Sequence, residues 1–385
     1  MVRPPGSDTG SDTGSDTWSD IVPRGRLVGL DVARCLALLG MMATHVLDEH
    51  TATGEVSLSH ELASGRASAL FAVLAGVSLG LVSGRDRPVR DGERVRASVG
   101  IASRALLIAA LGLVLGGLGS GLAIILTYYG VLFLLGLPFL GLGARALAVT
   151  AAAWVVIGPV GSHLVRPALP ERGYESPRLA HLADPPQLLG ELLLTGYYPA
   201  LPWLAYLLAG MAVGRSDLRG FRTPALLAAG GAALALAATA LSGWLTDTSR
   251  PVDLHGTTPT GGDWEWLLVV VPHSGTPFDL AQTIGSALLV IGVCLLVARA
   301  LPATARVAIA VLFGAGTMTL TLYSLHVVMR TPEVWPAEEP GTYVWHVLVV
   351  LGVGAVVVAL GRRGPLETVV GWPMRRLRPR GAATR

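Results

Sequence analysis

Residues 27–46 read LVGLDVARCLALLGMMATHV, and this stretch decides the fold of the chain. It is predominantly apolar, and a helix of about 20 residues is long enough to span the hydrocarbon core of a bilayer. Three of its residues are ionisable, namely Asp31, Arg34 and His45. Because an ionisable side chain costs a few kcal/mol at the bilayer centre, these three mark a candidate functional site.

Further apolar stretches of similar length follow, so the sequence predicts an all-α, polytopic membrane bundle of about ten helices. The composition agrees, since 52% of the 385 residues are hydrophobic, 14% are charged and the mean hydropathy is +0.57. A soluble domain carries about 25% charged residues, so a soluble globular enzyme and a disordered protein are both excluded. The predicted spans are 27–46, 67–84, 101–120, 122–142, 146–165, 199–214, 224–243, 279–300, 307–329 and 343–361.

All 29 basic residues are arginine, which excludes any chemistry that depends on lysine. With ten spans, most of these arginines, Arg104 and Arg145 among them, fall on the side that also holds both termini. The excess of basic residues in cytoplasmic loops predicts that both termini are cytoplasmic, in a multi-pass protein of the plasma membrane. The two cysteines lie in apolar stretches, so neither a disulfide framework nor a cysteine metal site is expected.

The chain divides into three predicted parts. Residues 1–26 repeat the tetrapeptide SDTG and predict a disordered polar tail, residues 27–362 form the transmembrane domain, and residues 363–385 form a basic cytoplasmic tail. We find no P-loop, no dinucleotide motif, no serine nucleophile motif and no metal-spaced histidine pair. The basic residues follow membrane topology, so nucleic-acid binding is not expected.

Arg34 and His45 share one face of the first helix. They are eleven residues apart, which corresponds to about 16 Å of rise and to directions within about 20° of each other. Leu38 and Met41 lie on the same stripe. This face suits a ligand with an anionic group at Arg34 and a reacting group at His45, where an imidazole can accept a proton near neutral pH. The structural alternative is an Asp31–Arg34 pair at one membrane edge and a hydrated His45 at the other.

The Asp–x2–Arg–x10–His pattern of Asp31, Arg34 and His45 resembles the first-helix motif of the membrane acyltransferase superfamily. Other segments resemble the heparan-α-glucosaminide N-acetyltransferase-like proteins, especially their actinobacterial branch, and the related YeiB-type membrane proteins. These segments are residues 65–78, 125–132, 198–215, 272–279, 318–326 and 364–367. The resemblance implies transfer of an acyl group, with acetyl the first expectation, from cytoplasmic acyl-CoA to an extracytoplasmic acceptor such as a cell-envelope sugar or glycolipid, with no metal.

The resemblance also suggests roles for individual residues. His45 would be the general base or a transient acyl carrier, Asp31 would position Arg34, and Arg34 would help to hold the donor. His50 and His60 compete with His45, which alone fits the superfamily motif. Arg215 and the loop arginines between residues 85 and 96 are further donor-binding candidates, although membrane topology explains loop arginines as well.

Four predictions concern the opposite, outer end of the helices. His273 and Asp279 would orient His45 or bind the acceptor, with helix capping as the alternative for Asp279. Tyr128 and Tyr129 would line the acyl channel, unless they belong to an aromatic belt. Arg66 would bind the acceptor or pair with Glu61 or His60. Tyr323 and His326 would bind the acceptor or form an interhelical hydrogen bond.

Two other functions compete with acyl transfer. A transporter or exporter of a small polar molecule would use the same polar stripe as its path, and a subunit without catalysis would only organise partners. The expected partners are the lipid bilayer and a small-molecule or glycan acceptor, and a homo-oligomer is left open.

Overall fold

The computed structural model describes residues 25–170, 173, 175–246, 263–334 and 340–376, so the predicted polar tail at 1–26 lies almost wholly outside the described residues. Within these ranges the chain is helical and forms no β-strand, and an isolated bridge joins His50 to Val56. The predicted all-α class is therefore confirmed. The α-helices are α1 (Val28–Val46), α2 (Leu58–Ala63), α3 (Arg66–Val82), α4 (Asp91–Leu115), α5 (Leu126–Gly136), α6 (Ala144–Val165), α7 (Pro185–Gly190), α8 (Ala200–Gly214), α9 (Arg222–Leu245), α10 (Pro277–Ala300), α11 (Ala303–Leu312), α12 (Thr319–Met329), α13 (Tyr343–Ala359) and α14 (Pro365–Arg376).

Six helical segments in the described ranges are long and apolar enough to cross a membrane, and a seventh forms if α7 and α8 count as one span bent by 50°. The other predicted spans coincide with shorter apolar helices, namely α5 with its 3₁₀ extension, the pair α11 and α12, and α13. A membrane protein with several spans is thus confirmed. The count of ten and the cytoplasmic position of both termini stay predictions.

The centre of the bundle is the crossing of α3 and α8, where two glycine pairs at four-residue spacing face each other. A Cβ atom at Gly80 would lie 2.7 Å from the carbonyl oxygen of Met211, and Cβ atoms at Gly76 and Gly210 would overlap the opposing backbone. Small residues at this spacing let two membrane helices approach to backbone contact. The crossing brings α3 against α8 on one side and leaves its other face toward α1 and the cavity described below.

A short 3₁₀ segment, Gly314–Thr317, separates α11 from α12 and packs on the first turn of α1. A Cβ atom at Gly316 would overlap the carbonyl group of Asp31, so only glycine fits at this contact. The side chain of Glu367 caps the new helix, because its Oε1 accepts hydrogen bonds from the backbone N–H of Leu320 (2.7 Å) and of Thr321 (3.1 Å). The break therefore places the start of α12 beside the ionisable end of α1.

The predicted C-terminal tail begins with a helix. Val370 of α14 is buried and α14 packs against α4 and α12, whereas Trp372 on the opposite face is exposed. Residues 365–376 are therefore part of the folded bundle, and residues 377–385 of the predicted tail lie outside the described ranges.

Candidate functional site

The ionisable residues at the start of α1 form a connected group. Asp31 accepts hydrogen bonds from Arg34 Nη1 (2.8 Å, at Oδ1) and from Arg26 Nε (2.7 Å, at Oδ2). Arg34 Nη2 also donates to Ser78 Oγ on α3 (2.9 Å). Asp31 thus holds Arg34 together with a second arginine, a contact that both the catalytic interpretation and the structural alternative expect. We call this side of the bundle, with Arg26, Arg34 and Arg104, the arginine end.

A cavity of about 280 Å³ opens between α1, α3, α4, α5, α12 and α14. Arg34, Arg104 and Glu367 line it at the arginine end, while Tyr129 and Tyr323 line it further into the bundle. The wall between them is largely apolar. The remaining lining residues are Met41, Phe71, Leu74, Ala75, Ser78, Leu79, Val82, Ile101, Ile108, Ile125, Leu126, Phe133, Gly316, Thr317, Thr319, Leu320 and Met374.

Arg104 of α4 is a cavity residue that the sequence analysis assigned to membrane topology alone. Its Nε atom is buried and has no hydrogen-bond partner among the described residues. Arg34 and Glu367 lie close enough to interact with it electrostatically. The signal that could have found it is its position inside the predicted span 101–120, just as Arg34 lies inside its own span.

The other end of α1 carries a chain of three histidines. His45 Nδ1 lies 3.1 Å from His326 Nε2, with the two rings stacked at 5.3 Å and 6°, and His326 Nδ1 lies 3.0 Å from His346 Nδ1. His326 on α12 and His346 on α13 are 0% and 1% exposed. We call these three residues the histidine chain and this side of the bundle the histidine end. His346 was missed by the sequence analysis, although a histidine inside an apolar helix was a signal.

The structure separates the three histidines that competed for the catalytic role. His45 belongs to the histidine chain. His60 interacts with His45 only electrostatically, and its Nδ1 lies 3.3 Å from Ser57 Oγ. His50 is exposed in the turn that pairs with Val56. The geometry therefore favours His45 among them.

His273 and Asp279 lie in the ordered turn that precedes and begins α10. His273 has a φ of 64°, a conformation that costs energy for a residue with a side chain, and its ring stacks on Trp203 at 6.4 Å. His273 is also an electrostatic neighbour of His45. The strained backbone thus holds its imidazole on the histidine end.

The contacts of Asp279 are those of the cap that was the alternative for it, and its catalytic role stays a prediction. Thr276 Oγ1 accepts a hydrogen bond from the Asp279 backbone N–H (3.1 Å), and Asp279 Oδ2 accepts one from the Gly275 N–H (3.0 Å). This arrangement closes the turn next to His273 and starts α10. Asp279 is therefore a positioning residue for the turn.

The tyrosines and Arg66 divide between two places. Tyr129 and Tyr323 both line the cavity, a position expected for Tyr129 but not for Tyr323, whereas Tyr128, next to Tyr129 on α5, contacts Tyr198 edge-on at 5.6 Å and faces a different pocket. The predicted channel role of Tyr128 is thus not supported by its position. Arg66 donates a hydrogen bond to the backbone carbonyl of Glu61, one of the two partners expected for it.

Arg215 also needs correction as a donor-binding residue. It is 4% exposed, and its Nε, Nη1 and Nη2 atoms all donate hydrogen bonds within the protein. Burial lowers the pKa of its guanidinium. Its acceptors are the carbonyl oxygens of Gly80, Ser83, Arg85, Leu140 and Leu142 and the hydroxyl of Ser83, at 2.6 to 3.2 Å. Arg215 therefore fastens α3, α5 and α8 together and has no donor left for a ligand.

Long apolar helices enclose a cavity lined by Arg34 and Arg104, and the histidine chain lies at the other end of α1. These features define a polytopic α-helical membrane protein with polar groups inside its bundle. The chain belongs to the heparan-alpha-glucosaminide N-acetyltransferase family, whose catalytic domain matches residues 26–245. The match runs from α1 to α9, more than half of the chain, and confirms the predicted family. No curated protein matches this sequence. His326, His346 and Glu367 lie beyond the matched residues.

Proposed function

We propose that this protein is a membrane acetyltransferase that moves an acyl group from acyl-CoA to an acceptor on the opposite side of the bilayer. The observation that carries the proposal is the cavity, with Arg34 and Arg104 at one end and, at the other, Met41 one turn before His45. Family membership supports the transfer of an acetyl group to an amine. The excess of arginine on one side supports a donor that enters from the cytoplasm of a plasma-membrane protein.

The arginine end fits the phosphates of the donor. A guanidinium group binds phosphate through paired N–H donors, and a buried donor without a partner is unfavourable until a ligand supplies an acceptor. Arg104 Nε is such a donor, and Arg34 stands beside it with Asp31 fixing its direction. The largely apolar middle of the cavity suits the uncharged arm of coenzyme A. When bound, acyl-CoA supplies the activated thioester.

The histidine end fits the acceptor. His45 Nδ1 is engaged with His326, so Nε2 is the ring atom that remains for an acceptor hydroxyl or amine. A neutral imidazole at this position accepts the acceptor proton as the acceptor attacks, and later returns it to the leaving sulfur. His273, an electrostatic neighbour of His45, is the next imidazole on this side, and this supports a role in contacting the acceptor. A cell-envelope sugar or glycolipid carries the hydroxyl and amine groups that such a site uses.

The test uses the full-length protein in lipid nanodiscs with radiolabelled acetyl-CoA and methyl α-glucosaminide as a probe amine. We expect acetyl-CoA binding and slow transfer in the wild type. His45→Ala should lower the transfer rate by about 10² to 10⁴-fold, the usual contribution of a general base, with donor binding retained. A label that remains covalently attached to the wild-type protein after denaturation would assign His45 as acyl carrier.

The matched control is His50→Ala, which changes an exposed histidine of the same outer segment and should leave the rate unchanged. Absence of acetyl-CoA binding by the wild type, or full turnover in His45→Ala, would contradict the proposal. Flux of a small polar molecule into proteoliposomes without acyl-CoA would favour the exporter.

A further inference from the structure

The histidine chain links three imidazole rings in a row, and its middle ring uses both nitrogens. It joins three helices, α1, α12 and α13, through two contacts of 3.1 and 3.0 Å between ring nitrogens. Each contact has length and partners suitable for one N–H···N hydrogen bond. His326 is the middle member, and it uses its Nε2 toward His45 and its Nδ1 toward His346.

The chain is not arranged as a metal site. A zinc ion bound by three histidines takes one nitrogen from each ring, at about 2.0–2.1 Å, around a common point. His326 instead directs its two nitrogens to two different rings, so the three residues have no common point. Within the described ranges, no group of histidine, cysteine and acidic residues could hold a metal ion.

The electrostatic neighbours of the chain include one permanent cation. Arg330 interacts electrostatically with all three histidines, and His273 and His60 add to the field at His45. These neighbours are cationic or neutral, and among the described residues no carboxylate contributes to the field on the chain. In the serine hydrolase triad a carboxylate orients the histidine base. Here a neutral imidazole occupies the position of that carboxylate.

We propose that His326 and His346 hold His45 in its reactive tautomer and carry away part of the positive charge that His45 gains during the reaction. This inference rests on the proposed function. For Nε2 of His45 to accept a proton, its Nδ1 must carry one and donate it to His326 Nε2. His326 then carries its proton on Nδ1 and donates it to Nδ1 of His346, which keeps its own proton on Nε2. The geometry therefore specifies one tautomer for each ring.

The proton balance closes without a further reactant. As the acceptor nitrogen or oxygen bonds to the thioester carbonyl, its proton goes to His45 Nε2. The Nδ1 proton of His45 shifts to His326 Nε2, and the Nδ1 proton of His326 shifts to His346, which becomes the cation. When the carbon–sulfur bond breaks, the thiolate takes the proton from His45 Nε2 and the two shifts reverse. The positive charge thus leaves His45 and is carried along the chain to His346.

Two substitutions at His346 separate its role in fixing the His45 tautomer from its role in proton transfer. In His346→Gln the amide oxygen can still accept from His326 Nδ1, but the side chain cannot take up a proton. We expect His45 to keep its Nδ1–H tautomer, with kcat lowered about tenfold. In His346→Phe both functions are lost, and we expect mixed His45 tautomers and a kcat lowered about 100-fold. His163→Gln is the matched control, because His163 is also buried but belongs to α6 outside the chain, and it should behave as the wild type.

Two measurements test the tautomers and the proton shifts of the histidine chain. Nitrogen-15 NMR of histidine-labelled protein in nanodiscs reports the tautomer of each ring without any substrate. The transfer rate in rising fractions of heavy water should curve for the wild type, because several protons move together, and should curve less for His346→Gln, in which the last shift is lost. A structural hydrogen bond alone would not change the form of this dependence.

The outcomes distinguish the two proposals. An Nε2–H tautomer at His45 in the wild type, a spectrum shifted by added zinc, or unchanged kcat and curvature in both His346 variants would overturn the histidine chain. If the wild type transfers no acetyl group, the proposed function fails, and the tautomer spectra still decide whether the chain has the specified arrangement.

Discussion

Arg215 is a buried arginine and Arg104 is a half-buried one with a buried Nε atom, and their surroundings in two regions of the molecule differ. Every nitrogen of the Arg215 guanidinium donates to the protein, chiefly to carbonyl groups at or just after the end of α3 and of the 3₁₀ extension of α5. Arg104 has a buried Nε without a partner in the described residues and lines an open cavity. Helix C-termini leave carbonyl groups unsatisfied and attract cations, so Arg215 completes the fold. Arg104 keeps an Nε–H for which the described residues supply no acceptor, and this is why we propose it for donor binding.

This difference reverses the roles that sequence reasoning gave the two residues. Both arginines lie at the edge of an apolar stretch, and the sequence pointed to Arg215 for donor binding and to topology for Arg104. The acceptors of Arg215 lie between 73 and 135 residues away in the chain, so no local pattern could show that its donors are already used. A buried arginine is therefore a ligand candidate only where a donor remains without an internal acceptor.

The largest effect is expected at Arg215. Arg215→Met removes the donors of a buried network, and each buried group left unsatisfied costs about 1–3 kcal/mol. Several such losses approach the total stability of a folded domain, about 5–15 kcal/mol, so we expect little monodisperse protein in detergent. Size-exclusion chromatography with a fluorescent fusion measures the yield.

Arg219→Met is the control for Arg215, because Arg219 lies four residues away and is exposed. It should change the yield little. If Arg215→Met gave a normal yield and melting temperature but no acetyl-CoA binding, Arg215 would be a donor-binding residue. Its assignment as the residue that fastens α3, α5 and α8 together would then be wrong.

Arg104→Gln should act on the ligand and leave the fold intact. Hydrogen bonds to a charged group contribute about 1.5–3 kcal/mol, so we expect the Kd for acetyl-CoA to rise about 10- to 100-fold. The melting temperature without ligand should stay the same, because the buried Nε has no partner to lose. Microscale thermophoresis and thermal unfolding of the same sample give both values.

Arg145→Gln removes an exposed arginine at the start of α6 and serves as the control for Arg104. Its Kd should equal that of the wild type. An unchanged Kd in Arg104→Gln together with a lower melting temperature would assign Arg104 to the fold, as for Arg215.

The first helix shows how far the sequence alone could go. The predicted span 27–46 coincides with the helix Val28–Val46, and the Asp31–Arg34 pair was predictable because residues three apart share a helix face. The histidine chain was not predictable, since His45 and His326 are 281 residues apart and no helical period relates them. The class, the family and one face of the site thus follow from local spacing, whereas the partners across the site depend on packing between distant helices.

Glu367→Gln should give the smallest effect, and one that can be divided into two parts. Glu367 both satisfies the fold, as the acceptors of Arg215 do, and lies beside the cavity near Arg104. Its carboxylate accepts hydrogen bonds at the start of α12, as the carbonyl groups do for Arg215, and it also interacts electrostatically with Arg104 beside the cavity. Loss of the negative charge should lower stability by about 1 kcal/mol, the usual contribution of a helix cap. The Kd for acetyl-CoA should fall roughly threefold, because the Glu367 carboxylate competes with the anionic ligand for Arg104. A charge interaction of this partly exposed kind contributes at most about 1 kcal/mol.

A double-substitution cycle separates these two contributions of Glu367. In an Arg104→Gln background, Glu367→Gln should still lower the melting temperature but should no longer tighten acetyl-CoA binding, because the arginine that the carboxylate competes for is gone. If Glu367→Gln still tightened acetyl-CoA binding in the Arg104→Gln background, the Glu367 carboxylate would act on the donor directly. Arg104 would then not be the cation that binds the donor phosphates. Equal effects on stability in both backgrounds would confirm that the cap of α12 is independent of the donor site.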